Sequence, residues 1–191
     1  MDYINEISFY GILFFILQSL YLILPIAVAN MMPVFVKKVN FLNYPLDFNK
    51  KWNQKRILGS HKTWRGLIFG ILGAIAAAYI QSVLYAHPSI QKISLINFTD
   101  YNWLAVGFLM GFGALIGDAV KSFFKRRKNI KPGSSWIPFD QLDFLIGGLL
   151  FLSILYIPPM GVIIFLLIAV PFLHIGFNLL GFYLKLKKNK L

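Results

Sequence analysis

Three of the seven acidic residues in the chain, Asp118, Asp140 and Asp143, bracket one strongly basic segment. That segment reads Gly117-Asp118-Ala119-Val120-Lys121-Ser122-Phe123-Phe124-Lys125-Arg126-Arg127. On a helix, Asp118, Lys121, Ser122 and Lys125 stand at i, i+3, i+4 and i+7, so they share one face, with Arg126 close beside them. Asp140 and Asp143 are themselves i, i+3 at the start of a further apolar stretch, after a turn signalled by Lys131-Pro132-Gly133-Ser134-Ser135. Two carboxylate sources can therefore converge on a stripe that also offers a hydroxyl and several cations. Oxygen ligands from two helix ends, with room for water and phosphate oxygens, suit Mg²⁺, and the candidate metal ligands are Asp118, Asp140 and Asp143. A purely structural reading, in which Asp118 pairs with Lys121 or Lys125 and the cations only set topology, explains the loop cations. It does not explain why acid, hydroxyl and ammonium lie on one face inside an apolar run, where an uncompensated carboxylate costs about 2.5 to 3.5 kcal/mol.

A second candidate element is Arg56-Ile57-Leu58-Gly59-Ser60-His61-Lys62-Thr63-Trp64-Arg65-Gly66. If a helix starts here, its free N–H groups together with Lys62 and Thr63 can hold a phosphate. The fragment lacks the glycine spacing and preceding strand of a Walker A loop. Trp64 and Arg65 equally suit an interfacial anchor. His61, His87 and His174 are too scattered to build a Ser-His-Asp arrangement or a metal-spaced pair. With no cysteine, thiolate nucleophiles, thiolate metal sites and disulfides are excluded.

The elements that must position these groups are membrane helices. The composition is 58% hydrophobic and 17% aromatic with 14% charged residues, and mean hydropathy is +0.66, far from a soluble domain. Despite a net charge of +12, this excludes a soluble nucleic-acid binder, and the cations serve orientation, anionic lipid headgroups or an anionic substrate. About 20 apolar residues cross a bilayer. Five candidate spans occur at 7–32, 66–86, 103–124, 144–157 and 159–184, with the fourth short and separated from the fifth by Ile157-Pro158-Pro159. Of the 19 Lys and Arg, only Lys92 lies between the second and third spans; the rest fall on the other side. The expected protein is an all-α integral membrane protein with five transmembrane helices, N-terminus outside, C-terminus cytoplasmic and the site on the cytoplasmic side. Residues 1–191 form one transmembrane catalytic domain with cytoplasmic loops at about 37–65 and 125–140. The first span is read as a retained helix, because its leader holds Asp2 and Glu6 without a cation. Pro25 and Pro171 should kink their spans, and Gly70, Ala74, Gly107 and Gly111 stand at the small-xxx-small spacing of close helix packing.

The pattern Gly117-Asp118-x-x-Lys121-Ser122-x-x-Lys125-Arg126-Arg127, then Lys131-Pro132-Gly133, then Asp140-Gln141-x-Asp143-Phe144, resembles the C-terminal signature of the CDP-archaeol synthases. Pro45-Leu46-Asp47 and Gly59-x-x-Lys62-Thr63-Trp64-x-Gly66 resemble their first-loop motif. The wider CDP-diacylglycerol synthases are similar in the Ser, Lys-Arg and paired Asp. The chain departs from them at Lys131-Pro132 and Asp140-Gln141 and lacks a Gly-His-Gly-Gly element, which favours the ether-lipid branch. The resemblance implies transfer of CMP from CTP to 2,3-bis-O-(geranylgeranyl)glycerol 1-phosphate, with release of pyrophosphate and a requirement for Mg²⁺. On that reading Lys121, Ser122, Lys125, Arg126, Arg127 and Lys131 contact phosphates, and Gly59, Lys62 and Thr63 contact the nucleotide. The partners are CTP, a lipid phosphate and membrane lipids, in the cell membrane. The alternatives are a phosphatidate cytidylyltransferase, a CTP-dependent polyprenol or lipid kinase and, outside enzymes, a lipid-binding or transport protein. The sequence does not set the oligomeric state.

Overall fold

The computed structural model describes residues 2–130 and 134–183. Lys131 and the four tail cations after Leu184 lie outside the described residues. The chain forms α1 (Asp2–Leu22), α2 (Leu24–Phe35), a two-stranded hairpin of β1 (Lys51–Trp52) and β2 (Lys55–Arg56), α3 (Trp64–Leu84), α4 (Pro88–Ile93), α5 (Trp103–Arg127), α6 (Phe139–Leu152) and α7 (Met160–Tyr183).

Local chemistry explains the boundaries. Pro25 stands in the first turn of α2, where its missing N–H costs nothing, and the chain bends by 48° between Tyr10–Leu22 and Leu24–Lys38. The first expected span is thus two helices. Thr63 caps α3 by accepting from Gly66 N at 3.2 Å, and Asn102 caps α5 by accepting from Leu104 N at 2.8 Å. Pro158 and Pro159 separate α6 from α7 as expected, but α6 begins five residues before the expected span and ends at Leu152. Helix α5 runs three residues past its expected end, to Arg127, which keeps the whole basic stripe helical. Pro171 lies inside α7, which continues through it. Among the described residues, helices α3 and α5 are long and apolar enough to cross a membrane, and there are three such units if the bent pair is counted as one span.

Helix α5 is the centre of the bundle, packed on α2, α3 and α6. Between membrane helices the apolar surface gains little from leaving lipid, so close van der Waals packing has to hold them together. Small residues supply it. A Cβ on Gly111 would come 2.6 Å from the Ala74 Cβ, and one on Gly107 would come 3.0 Å from the Ala78 Cβ, so α3 and α5 meet along the small-residue stripe seen in the sequence. On the opposite side of α5, Gly113 and Gly147 approach so closely that a Cβ on either would overlap the other's carbonyl oxygen. Ile26, Val106, Met110, Leu145, Leu152 and Leu166 fill the interior, and Gln81 in α3 donates to Tyr21 O at 2.6 Å, joining α3 to α1 by a buried polar bond.

Candidate active site

Gly117 lies directly against the carbonyl of Asp143, where a Cβ would overlap it. The next turn of α5 therefore meets the first turn of α6, and the charged groups of the two helices come together. Lys121 Nζ lies 3.1 Å from Asp118 Oδ1, 3.0 Å from Asp140 Oδ1 and 2.7 Å from Asp143 Oδ2. Lys125 Nζ donates to Asp140 Oδ1 at 3.0 Å and Oδ2 at 2.9 Å, and to Ser134 O at 2.6 Å. Asp140 also accepts from Trp136 N at 2.6 Å, closing the α5–α6 connection onto the site. From the first loop Lys62 Nζ pairs with Asp118 Oδ2. Three carboxylates and three ammonium groups thus interlock, each side chain a quarter exposed or less. Charges drawn out of water are costly unless paired in this manner.

Lys62 reaches the cluster because the first loop is tied down by Asp47, which is 6% exposed. Its carboxylate accepts from Arg56 Nη2 at 2.8 Å, Leu58 N at 3.1 Å, Gly59 N at 3.2 Å and Asn49 N at 3.1 Å. Burial opposes the charge on Asp47, and the Arg56 guanidinium and these backbone donors outweigh it, holding its pKa down at about 2. Gly59 sits at φ +119°, a conformation that a residue with a Cβ rarely adopts, and so turns the chain from the Asp47 hub toward Lys62. The hairpin rests on the end of α5. Arg127 donates to Trp52 O at 2.6 Å and Arg56 O at 3.0 Å, and its guanidinium lies 4.6 Å from the Phe123 ring centroid.

A pocket of about 160 Å³ opens between this loop and α5. Gly59, Ser60, His61 and Lys62 line one wall and Lys121, Ser122, Lys125 and Arg126 the other. Arg126 Nε is buried there without an acceptor in the protein. Four cations line this one small space, Lys62, Lys121, Lys125 and Arg126, and suit a polyphosphate. Two expected contacts lie elsewhere. Thr63 caps α3 and lines a separate cavity of about 40 Å³ behind Lys62, and Arg127 is turned to the hairpin, outside the pocket lining. The expectation that the α3 N-terminus offers free N–H groups is corrected. Trp64 N donates to Tyr44 O at 2.9 Å, Arg65 N to Leu42 O at 2.9 Å and Gly66 N to Thr63 Oγ1, so the loop has already used those donors. Nor does Arg65 serve as an interfacial anchor: it is buried and donates to Val39 O, while Trp64 packs against Phe48 at 6.0 Å between ring centroids.

As a donor set for Mg²⁺, hard carboxylate oxygens on two adjoining helix ends have the right chemistry. Asp118, Asp140 and Asp143 face a common point, at which the Lys121 ammonium stands. Among the described residues no group of three or more His, Cys, Asp or Glu side chains is arranged to hold a metal ion, these three aspartates included. The oxygen donors have the chemistry for the ion, but their arrangement here is built around the Lys121 ammonium, which a metal would have to displace.

The family model for CarS-like CDP-archaeol synthase matches residues 12–190. The chain is 36% identical over 173 residues to the CDP-archaeol synthase of Pyrococcus furiosus, covering 90% of this chain and 96% of that one. It is 39% identical over 166 residues to that of Thermococcus onnurineus, covering 85% and 89%. The chain belongs to the CDP-archaeol synthase family. A solved structure, described as an intramembrane enzyme for archaeal membrane lipids biosynthesis, is similar with TM-score 0.68 at 29% identity, covering 84% of this chain and 92% of that one.

As a CDP-archaeol synthase family member the chain carries functional geometry that sequence reasoning passed over. Asp47 belongs to the first-loop motif, and a lone acid in a polar, basic loop is the available sequence signal for a loop-organising carboxylate. His61, set aside because the three histidines are scattered, lines both the pocket beside Lys62 and the small cavity behind it. Trp136 closes the site through its backbone N–H, which no side-chain pattern can reveal.

Proposed function

We propose that this chain transfers CMP from CTP to an unsaturated ether-lipid phosphate, 2,3-bis-O-(geranylgeranyl)-sn-glycerol 1-phosphate, forming CDP-archaeol and pyrophosphate. Membership of the family supports the reaction class. The observation that carries the reading to particular residues is the pocket walled by Lys62, Lys121, Lys125 and Arg126 beside the three carboxylates.

A lipid phosphate oxygen attacks the α-phosphorus of CTP, the bond from that phosphorus to the bridging oxygen breaks, and pyrophosphate leaves with the electron pair. The attacking phosphate is already an anion at neutral pH, so neither a protein nucleophile nor a general base is needed. Charge neutralisation and in-line alignment are needed instead. Lys121, Ser122, Lys125 and Arg126 hold phosphate oxygens, and Gly59 and Lys62 hold the nucleotide side. Lys131 adds to the phosphate cradle, and Thr63 and Arg127 act by holding the loop that carries Lys62. Asp118, Asp140 and Asp143 would hold Mg²⁺ in place of the Lys121 ammonium, and the ion would supply charge neutralisation at the phosphates.

The whole chain is one catalytic domain of five membrane-crossing segments in the cell membrane, N-terminus outside, with the site and the C-terminus cytoplasmic. The unequal distribution of Lys and Arg supports this orientation. The test is incubation of purified protein with Mg²⁺, the geranylgeranyl glycerol phosphate and CTP labelled at the α or γ phosphorus. Label entering the extracted lipid from the α position supports cytidylyl transfer. Label from the γ position, or from neither, overturns it.

A further inference from the structure

The first loop divides its cations into two sets. Of the eight between Lys37 and Arg65, four are engaged by the protein: Lys55 with Arg127 O, Arg56 with Asp47, Lys62 with Asp118 and Arg65 with Val39 O. The other four, Lys37, Lys38, Lys50 and Lys51, are exposed, and no described acidic residue pairs with them. The one acid of the loop, Asp47, is its buried hub, so the outer face carries positive charge alone. Between these lysines stand Phe41, Tyr44, Phe48 and Trp52, each more than half exposed. Contact with a membrane helix fixes the depth of this face. The Trp52 ring centroid lies 5.7 Å from that of Phe123, one turn before α5 ends at Arg127, where its apolar run gives way to charge. At its start the loop leaves α2 through the exposed Val34 and Phe35 and passes directly into a single 3-10 turn, Val36–Lys38, that carries Lys37 and Lys38. Both places lie where hydrocarbon meets water, the level at which Trp, Tyr and Lys are favoured in membrane proteins.

We propose that the outer face of the first loop lies on the membrane and docks anionic lipid headgroups of the leaflet nearest the site. The aromatic rings enter the headgroup layer, and Lys37, Lys38, Lys50 and Lys51 pair with lipid phosphates. Three relationships carry this. The four lysines have no protein acid to satisfy them, and the negative surface potential of an anionic leaflet attracts such a cluster. Rings held in water gain by moving into a layer that is apolar on one side and wet on the other. An acidic protein would complement the lysines, but Trp52 is fixed beside Phe123 at the depth of the lipid headgroups, so lipid already stands where such a partner would have to bind. Membrane contact and site are then joined by one segment: the loop whose outer face meets the headgroups carries Gly59 and Lys62 on its inner wall.

The chain has no cysteine, so a nitroxide attached at Asn43→Cys, an exposed position beside Tyr44, reports on this loop alone. The full chain is placed in vesicles of phosphatidylcholine, alone or with about 30% phosphatidylglycerol, and collision of the label with a neutral, water-soluble nickel chelate is read by power saturation. The expected result is a fall of at least threefold in nickel accessibility when phosphatidylglycerol is added, reversed by about 0.5 M salt. In a chain that also carries K37Q, K38Q, K50Q and K51Q, all at exposed positions outside the catalytic pocket, no fall is expected, and an unchanged melting temperature shows that this variant is folded. Equal accessibility in the two membranes overturns the docking: a label equally open to water leaves the face for an acidic protein partner, and one equally shielded means that the rings bury the loop without lipid charge. A fall that persists in the lysine variant overturns the role of these four side chains. No reading depends on CMP transfer, so failure of the docking leaves the proposed reaction standing.

Discussion

Lys121 on α5 and Asp143 on α6 meet at 2.7 Å just beyond the point where Gly117 lies against the Asp143 carbonyl. The closeness of two backbones and the pairing of two charges are thus one feature: the ion pair forms because a glycine one helical turn away removes the obstacle. Enlarging that glycine should damage both. Gly117→Ala is expected to lower stability by about 1 to 3 kcal/mol, as overpacking does, and to cost more activity than the loss of folded protein explains. Thermal melting in detergent and labelled-lipid formation, measured on the same sample, check this.

The three carboxylates share the Lys121 ammonium with any ion they bind. In Lys121→Met the ammonium is gone, so Mn²⁺ used in place of Mg²⁺ should bind at least tenfold more tightly, a gain of about 1.4 kcal/mol, while CMP transfer is lost. Electron paramagnetic resonance of the free ion reads the affinity directly. Unchanged or weaker Mn²⁺ binding would show that these carboxylates and the ammonium do not compete for the metal.

Asp140→Asn keeps the shape and an acceptor for Trp136 N but removes the charge that Lys121 and Lys125 both face. The variant should fold with a wild-type circular dichroism spectrum and melting temperature within a few degrees, and show no measurable turnover. Near-normal activity of the folded variant would remove Asp140 from the metal site.

Asp47 gives a pH dependence whose sign follows from its depressed pKa. The group titrates near 3.8 when free and at about 2 in the folded loop, so its contribution, about 2 kcal/mol, is fully present above pH 4 and is lost as the pH falls toward 2. Wild type should therefore melt higher than Asp47→Asn at pH 7, and the difference should shrink steadily below pH 4. A constant gap across that range would show that the carboxylate charge does not organise the loop.

Arg127 joins two carbonyls of the hairpin to the end of α5. Arg127→Ala should speed amide hydrogen exchange in residues 51–59 and raise KM for CTP several-fold through a looser Lys62 loop, with kcat close to wild type. A large fall in kcat with unchanged exchange would instead return Arg127 to direct phosphate contact.

The sequence by itself determined the class of molecule, the helical register of the stripe and the identity of the acids. Those depend on composition, on the 3.6-residue period and on the cost of a carboxylate in an apolar run, all local quantities. Asp118, Lys121, Ser122 and Lys125 were legible for that reason, and the small residues Ala74, Gly107 and Gly111 announced close packing before their partners were known. Only the tertiary structure decided what each charge touches. That Lys121 bridges three aspartates, that the N–H groups of α3 are spent on Tyr44 and Leu42, and that Arg127 serves the hairpin all depend on segments far apart in the chain. The hairpin itself escaped notice because its turn uses Asn53-Gln54, at φ +49° and +61°, without the glycine that usually marks such turns. The spacing of α5 and α6 escaped for a deeper reason: it is set by the distance between two helix axes, and that distance is fixed by glycines whose partners lie on the other helix.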